Sequence, residues 1–314
     1  MRIRNGFTAF LAFGFLLVTA GGFYAQSIEE HDRDLAPTGR GIGTRYRPGM
    51  PADHFGPQRW AGHGHRSANG ISYHGGPLIL NGVNVYYIWY GNWSGNSATT
   101  LLTTLAKDIG GSPYFNINTT YYDGSSQHVA NLVRYSGSTT DNYSHGTSLS
   151  DSSVQAIVSG AISGGKLPMD TDGVYFVLTS ADVNETSGFC TQYCGWHTND
   201  ANLNGSDIKY AFIGNPARCP SACEAQTTSP NGNAGADGMA SIISHELEEA
   251  TTDPDLNAWY DSRGEENADK CAWTFGQTSK ASNGSAYNVV LGGTKFLIQQ
   301  NWVNASGGYC AMSY

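Results

Sequence analysis

Residues 235–261 read Gly-Ala-Asp-Gly-Met-Ala-Ser-Ile-Ile-Ser-His-Glu-Leu-Glu-Glu-Ala-Thr-Thr-Asp-Pro-Asp-Leu-Asn-Ala-Trp-Tyr-Asp, and the rest of the chain is organised around this stretch. Met239, Ile243, Leu247 and Ala250 recur at helical spacing, Asp237 is the N-cap candidate, and Pro254 cannot continue a helix. The pattern predicts a helix from about Gly238 to Thr252 with one face in the core. At about 100° per residue, His245 and Glu249 share one side and Glu246 falls between Glu249 and the apolar stripe. Glu248 points the other way.

His-Glu-x-x-Glu differs by one residue from the zinc-protease helix His-Glu-x-x-His, in which residues at i and i+4 hold the metal and the intervening Glu is the general base. A carboxylate in place of the second imidazole is a harder ligand and moves the preference towards calcium, manganese or magnesium. Residues 246–269 hold nine acids and one base, Arg263, so their repulsion favours a bound cation if they converge. The alternative is a solvated acidic helix face carrying a fortuitous His-Glu pair.

Upstream, Arg2 and Arg4 precede an apolar run from Phe7 to Ala20 and then small residues, the layout of a secretory signal over 1–26. An exported protein is the expectation, extracellular or in the cell wall. Residues 27–70 are rich in Arg, Gly, Pro and His, lack apolar periodicity, and read as an irregular leader. Their His63-Gly64-His65 reads as a solvated polar segment rather than a metal site. From residue 71 onward there are 21 acidic and 9 basic residues. That balance argues against nucleic acid or an anionic membrane as partner. About 240 residues suffice for one substantial core, so residues 71–314 are read as one domain and a monomer.

Val83–Tyr90, β-branched and aromatic throughout, reads as a strand covered on both faces. A helix near 97–109, a strand near 130–135, a helix near 151–162 and a strand at 173–179 follow. This β-α-β-α-β order predicts an α/β fold with a mixed, mostly parallel sheet and crossover helices. A strand at 209–213 precedes the His245 helix, and 287–303 reads as one or two strands about Gly292-Gly293. The order is the one a zincin-like domain needs. No Gly-x-Ser-x-Gly elbow occurs, which sets aside a serine hydrolase.

Cys190, Cys194, Cys219, Cys223, Cys271 and Cys310 are even in number and follow an export signal, so disulfides are the expectation and four-cysteine zinc the rival. Cys271 is expected to pair with Cys310, with pairing among the other four open. His197, in Cys194-Gly-Trp-His, sits beside a staple that could hold it rigid for ligation or acid–base work; the bland alternative is a buried histidine satisfied by a carbonyl.

Several blocks together carry a resemblance: His74-Gly-Gly-Pro-Leu, Val83-Asn-Val-Tyr-Tyr-Ile-Trp-Tyr-Gly-Asn-Trp-Ser, Gly173-Val-Tyr-Phe-Val-Leu-Thr-Ser-Ala-Asp-Val, and Tyr193-Cys-Gly-Trp-His-Thr. Others are His245-Glu-Leu-Glu-Glu, Asn257-Ala-Trp-Tyr, Glu266-Asn-Ala-Asp-Lys-Cys and Gln300-Asn-Trp-Val-Asn. From about residue 72 onward the chain resembles the EXORDIUM / phosphate-induced protein 1 family of secreted proteins. The resemblance implies an extracellular or cell-wall-associated protein without a settled activity, and a remote kinship with zinc metallopeptidases. It also implies that His245, Glu246 and Glu249 occupy positions the family shares. Glu248 departs from the small residue usual in plant members.

Two functions follow as expectations. In a metal-dependent hydrolase of peptidase type, His245 and Glu249 hold a divalent cation, zinc first and calcium as the alternative. Glu266 or Asp269 completes the site, with Asp253 and His197 as further ligands, and Glu246 is the general base. In a non-catalytic extracellular protein the same residues hold a structural cation or hydrogen-bond. The expected partner is a peptide or an extracellular cell-wall polymer.

Overall fold

Eight consecutive residues that are β-branched or aromatic at all but one position make β1 (Val83–Tyr90) an interior strand of the sheet. Only Asn84 is less than fully buried, which requires cover on both faces. The computed structural model describes residues 70–314. The signal segment and all of the leader before Gly70, with His63 and His65, lie outside the described residues.

β1 is followed by α1 (Ala98–Asp108), β2 (Val133–Asp141), α2 (Asp151–Ser163), β3 (Gly173–Thr179), β4 (Gly195–Leu203), β5 (Ser206–Ile213) and α3 (Ala234–Thr252). The sheet runs β2-β1-β3-β5-β4, parallel except for β4, which pairs antiparallel with β5. The fold is thus α/β with a mixed, mostly parallel sheet, as the alternation predicts. The crossover through α1 runs one way from β1 and the crossover through α2 runs back past it, so right-handed connections put the two helices on opposite faces. Ser150 caps α2, its hydroxyl accepting from the Ser153 amide at 3.2 Å.

Two strands depart from the sequence reading. The strand expected near 130–135 begins at Val133 and runs on to Asp141. Ala130 and Leu132 are held in a turn by the Leu132 amide bonding to the Ala130 carbonyl at 2.8 Å. The polar continuation Ser136–Asp141 is an edge strand alternating between half-buried and exposed, a position where apolar content is not required. β4 was not anticipated at all. It joins β5 through Asn204-Gly205, both at positive φ (52° and 90°), which is the left-handed pair a two-residue hairpin turn needs.

α3 is also longer and more deeply set than its periodicity suggests. It starts a turn earlier, with the Asn233 side chain accepting from the Ala236 amide at 3.1 Å. Asp237 is therefore not the cap. It lies in the first turn, where it accepts from the Ser229 hydroxyl, the Asn231 amide at 3.2 Å and the Asn231 side chain at 2.5 Å. Every residue of the helix except Ala234 and Gly238 is buried. The sheet covers one side; α1 and the segments after the helix, including the hairpin Val289–Leu291 with Thr294–Phe296, cover the rest. A solvated acidic face is excluded.

All six cysteines are oxidised. Cys271–Cys310 forms as expected, and the open pairings resolve as Cys190–Cys219 and Cys194–Cys223. The last two tie the start of β4 to the loop that leads into α3. Each spans 29 residues, a loop whose closure removes on the order of 3–4 kcal/mol of unfolded-state entropy. Replacing Cys194 and Cys223 together by Ala is expected to lower unfolding stability by about that amount in guanidinium titrations. A loss below about 1 kcal/mol would show that the sheet and the remaining Cys190–Cys219 bridge already hold the start of β4.

Candidate metal centre

The helical spacing of α3 brings the His245 Nε2 within 3.0 Å of a Glu249 carboxylate oxygen, Oε1. The pair is not aligned as a hydrogen bond, and both His245 ring nitrogens lack such a partner. After Pro254 the chain turns back, and a short 3-10 turn, Asp269–Cys271, presents Asp269 to the same point. Its Oδ1 lies 3.4 Å from His245 Nε2, and its amide donates to Glu249 Oε1 at 3.0 Å. The Cys271–Cys310 disulfide anchors this turn.

His197 arrives from β4. Its Nδ1 stands 3.6 Å from Glu246 Oε2 and 3.6 Å from Glu249 Oε2, and its Nε2 stands 3.8 Å from Glu266 Oε1. Nε2 also lies 3.4 Å from the Asp253 carbonyl. The close approach of strand and helix depends on Gly195, where a Cβ would meet Ile242 Cγ2 at 2.5 Å and the Phe212 carbonyl at 2.9 Å. His197, His245, Glu246 and Glu249 are each at most 1% exposed. Glu266 is buried too, and Asp269 is the member that reaches partial exposure.

Two triads result, His245–Glu249–Asp269 and His197–Glu246–Glu249, each with its donor atoms within 4.8 Å of one another. Donors about 2.0–2.2 Å from zinc at tetrahedral angles stand roughly 3.3–3.6 Å apart, which the 3.4 and 3.6 Å separations match and the 3.0 Å between His245 and Glu249 falls short of. Both Glu246 oxygens, Glu249 Oε2, Glu266 Oε1 and His197 Nδ1 have no hydrogen-bond partner among the described residues. Orphaned buried polar atoms each cost about 1–3 kcal/mol. The donor set therefore fits a divalent cation, with the first triad leaving Glu246 free.

Charge is strongly displaced throughout the cluster. Burial opposes ionisation of Glu249, yet His245 and His197 outweigh it and hold the carboxyl down to about 2. Burial lifts Asp269 to about 7, reinforced by the Glu249 charge. Burial pushes Glu266 well up, and the negative charges of Glu249, Asp253 and Asp269 add to it. Burial raises Glu246 as well. Both imidazoles are raised well above 6.5 despite burial, His197 chiefly by Glu266 and His245 chiefly by Glu249.

Asp253 is drawn into the backbone rather than the cluster. One carboxylate oxygen accepts the Asn257 and Ala258 amides at 2.6 and 2.5 Å, ordering the turn after Pro254. The remaining acids of 246–269 are neutralised locally: Asp261 by Lys270 at 3.0 Å, Glu265 by Arg263 at 2.6 Å, with Asp255 3.8 Å from Lys209. Glu248 points away from the cluster as the helical wheel predicts, but into the core, where Asn301 Nδ2 donates to it at 2.6 Å. Asn301 and Asn267, which donates to the Glu248 carbonyl at 3.2 Å, stand within the blocks that carry the family resemblance, but nothing in the sequence points to a role for them. Isolated asparagines far along the chain give no spacing signal.

Residues 71–312 match the phosphate-induced protein 1 conserved region. Protein EXORDIUM-like 3 of Arabidopsis thaliana is 31% identical over 279 residues, covering 76% of this chain and 82% of the relative. Protein EXORDIUM-like 5 of the same plant is 30% identical over 272 residues, 74% of this chain and 75% of the relative. Protein PHOSPHATE-INDUCED 1 of Nicotiana tabacum is 27% identical over 230 residues, 63% of this chain and 69% of the relative. No solved structure matches the chain.

Burial pushes the Glu248 carboxyl well above 4.5, against the Asn118 and Asn301 hydrogen bonds that lower it. The stability it contributes is thus complete below about pH 4.5 and is lost as pH rises through the folded-state value. Glu248→Gln removes that loss. In urea unfolding with chelator present, the variant is expected to gain on the parent as pH is raised from acid to slightly alkaline. An unchanged difference across that range would mean that Glu248 is ionised in the fold.

Proposed function

The chain belongs to the phosphate-induced protein 1 family, and we propose that it is an extracellular, cation-dependent hydrolase of peptidase type. The observation that carries this reading is the convergence of His245, Glu249 and Asp269 on one point with Glu246 unligated beside them. The reading places this family's α/β domain near the zincin-like proteases, with α3 as the active-site helix. Three disulfides support an oxidising, extracellular setting, in keeping with the signal-like segment 1–26.

When bound, a divalent cation, zinc first and calcium as the alternative, supplies Lewis acidity that polarises a scissile carbonyl. His245 Nε2, Glu249 Oε1 and Asp269 Oδ1 hold it. Glu246 would take up the proton of the attacking water, a role favoured by burial, which raises its carboxyl above the usual range. His197 keeps Glu246 and Glu249 turned towards each other's side of the helix, 3.6 Å from each. Two carboxylate ligands neutralise more of the cation's charge than imidazoles would, so modest turnover is expected. The substrate on this reading is a peptide, and the acting species is the single chain.

Burial favours a second reading. With four cluster residues at most 1% exposed, the same cation would be structural in a non-catalytic protein that binds a cell-wall or other extracellular polymer. Elemental analysis after dialysis against a weak chelator separates the readings when run with variants. The parent is expected to retain zinc and Glu249→Ala to lose it. Glu246→Gln should keep the ion at His245, Glu249 and Asp269 while peptide turnover drops about 100-fold or more. A Glu246→Gln protein with unaltered turnover, or a parent that keeps no metal, would overturn the hydrolase.

A further inference from the structure

We propose that the centre is built for two cations bridged by Glu249, the second held by His197 Nδ1, Glu246 Oε2 and Glu249 Oε2. The inference rests on the cation-binding reading of the first triad and extends it. Glu249 turns its two oxygens to different partners: Oε1 to His245 and the Asp269 amide, and Oε2 to His197. A carboxylate spanning two such sets is the arrangement that places paired metal ions about 3.5–4 Å apart.

The His197 ring is oriented for ligation through Nδ1. Its Nε2 sits 3.4 Å from the Asp253 carbonyl, an oxygen that can only accept, so in a neutral ring the proton belongs on Nε2 and the lone pair on Nδ1. Nδ1 then faces two carboxylate oxygens, each 3.6 Å away, with no hydrogen-bond donor between them. Nδ1 and the two carboxylate oxygens repel one another unless a proton or a cation lies among them, and the ring, Glu246 and Glu249 are all at most 1% exposed. The separations of 3.6 Å are those of neighbouring ligands about one ion.

Charge supports the same count. Glu246, Glu249, Asp269 and Glu266 bring four carboxyls to the two triads and the far side of His197. One divalent cation leaves two of those negative charges uncompensated when all are ionised; two cations leave none. The second cation has a functional consequence, because Glu246 cannot both ligate it and accept a proton. Loading of the second position would hold Glu246 out of its role as base, and loss of that cation would free it.

A zinc chloride titration of the full chain, stripped with a strong chelator and read by competition with a chromophoric chelator and by elemental analysis after gel filtration, tests this. Two equivalents are expected for the parent, one each for His197→Gln and Asp269→Asn, with circular dichroism confirming folded variants. A parent that takes one equivalent overturns the second position and leaves the first intact. A parent that takes none overturns both. Two equivalents in folded His197→Gln place the second ion elsewhere and overturn the assignment.

Discussion

Burying the Glu249 carboxylate between His197 and His245 ties a strand edge, a helix and a C-terminal turn to a single point, because each supplies a group that the others need. Water cannot compensate charge at a residue with no exposure, so protons, imidazoles or a cation must. The rest of the site arrangement is organised by that requirement. β4 has to approach α3 closely enough to place His197, which Gly195 allows, and the chain after Pro254 has to return far enough to place Asp269. Removing any one contributor leaves the others as unpaired buried polar groups, which makes the centre cooperative in assembly.

The same constraint accounts for the cover over α3. A helix bearing His245, Glu246, Glu248 and Glu249 cannot be buried all round on apolar contacts alone. Its polar side chains are answered from segments more than a dozen residues away in sequence: Glu248 by Asn301, Ser241 by Gln299, and Glu249 by the Asp269 amide. The C-terminal third therefore acts as a second wall for the helix, opposite the sheet, and the small hairpins it contains serve to hold that wall in register.

Much of the sheet was legible in the sequence because it is buried on both faces. Val83–Tyr90 and Gly173–Thr179 are recognisable from composition alone, and their bounds coincide with the strands. Edge strands obey a weaker rule. β2 was displaced by several residues because its second half is polar, and β4 was missed although Asn204-Gly205 is a strong hairpin signal. At the candidate centre, helical spacing sufficed to join His245, Glu246 and Glu249, and the downstream acids named Glu266 and Asp269 as alternatives. What spacing could not supply was which carboxylate faces which imidazole. Pairwise distance divides them, Asp269 with His245 and Glu266 with His197, and reassigns Asp253 to the turn. The Asn233 cap was obscured by Asp237, an equally good capping residue one turn later.

The covalent staples make the centre sensitive to redox state. His197 lies three residues beyond Cys194 and Asp269 two before Cys271, so the two contributors outside α3 are each fixed by a thiol oxidation. Without the bridges, His197 is left to the β4–β5 ladder and Asp269 to hydrogen bonds such as the one from its amide to Glu249. On the cation-binding reading, reduction of these two bridges would loosen the donor set and with it the hold on any ion.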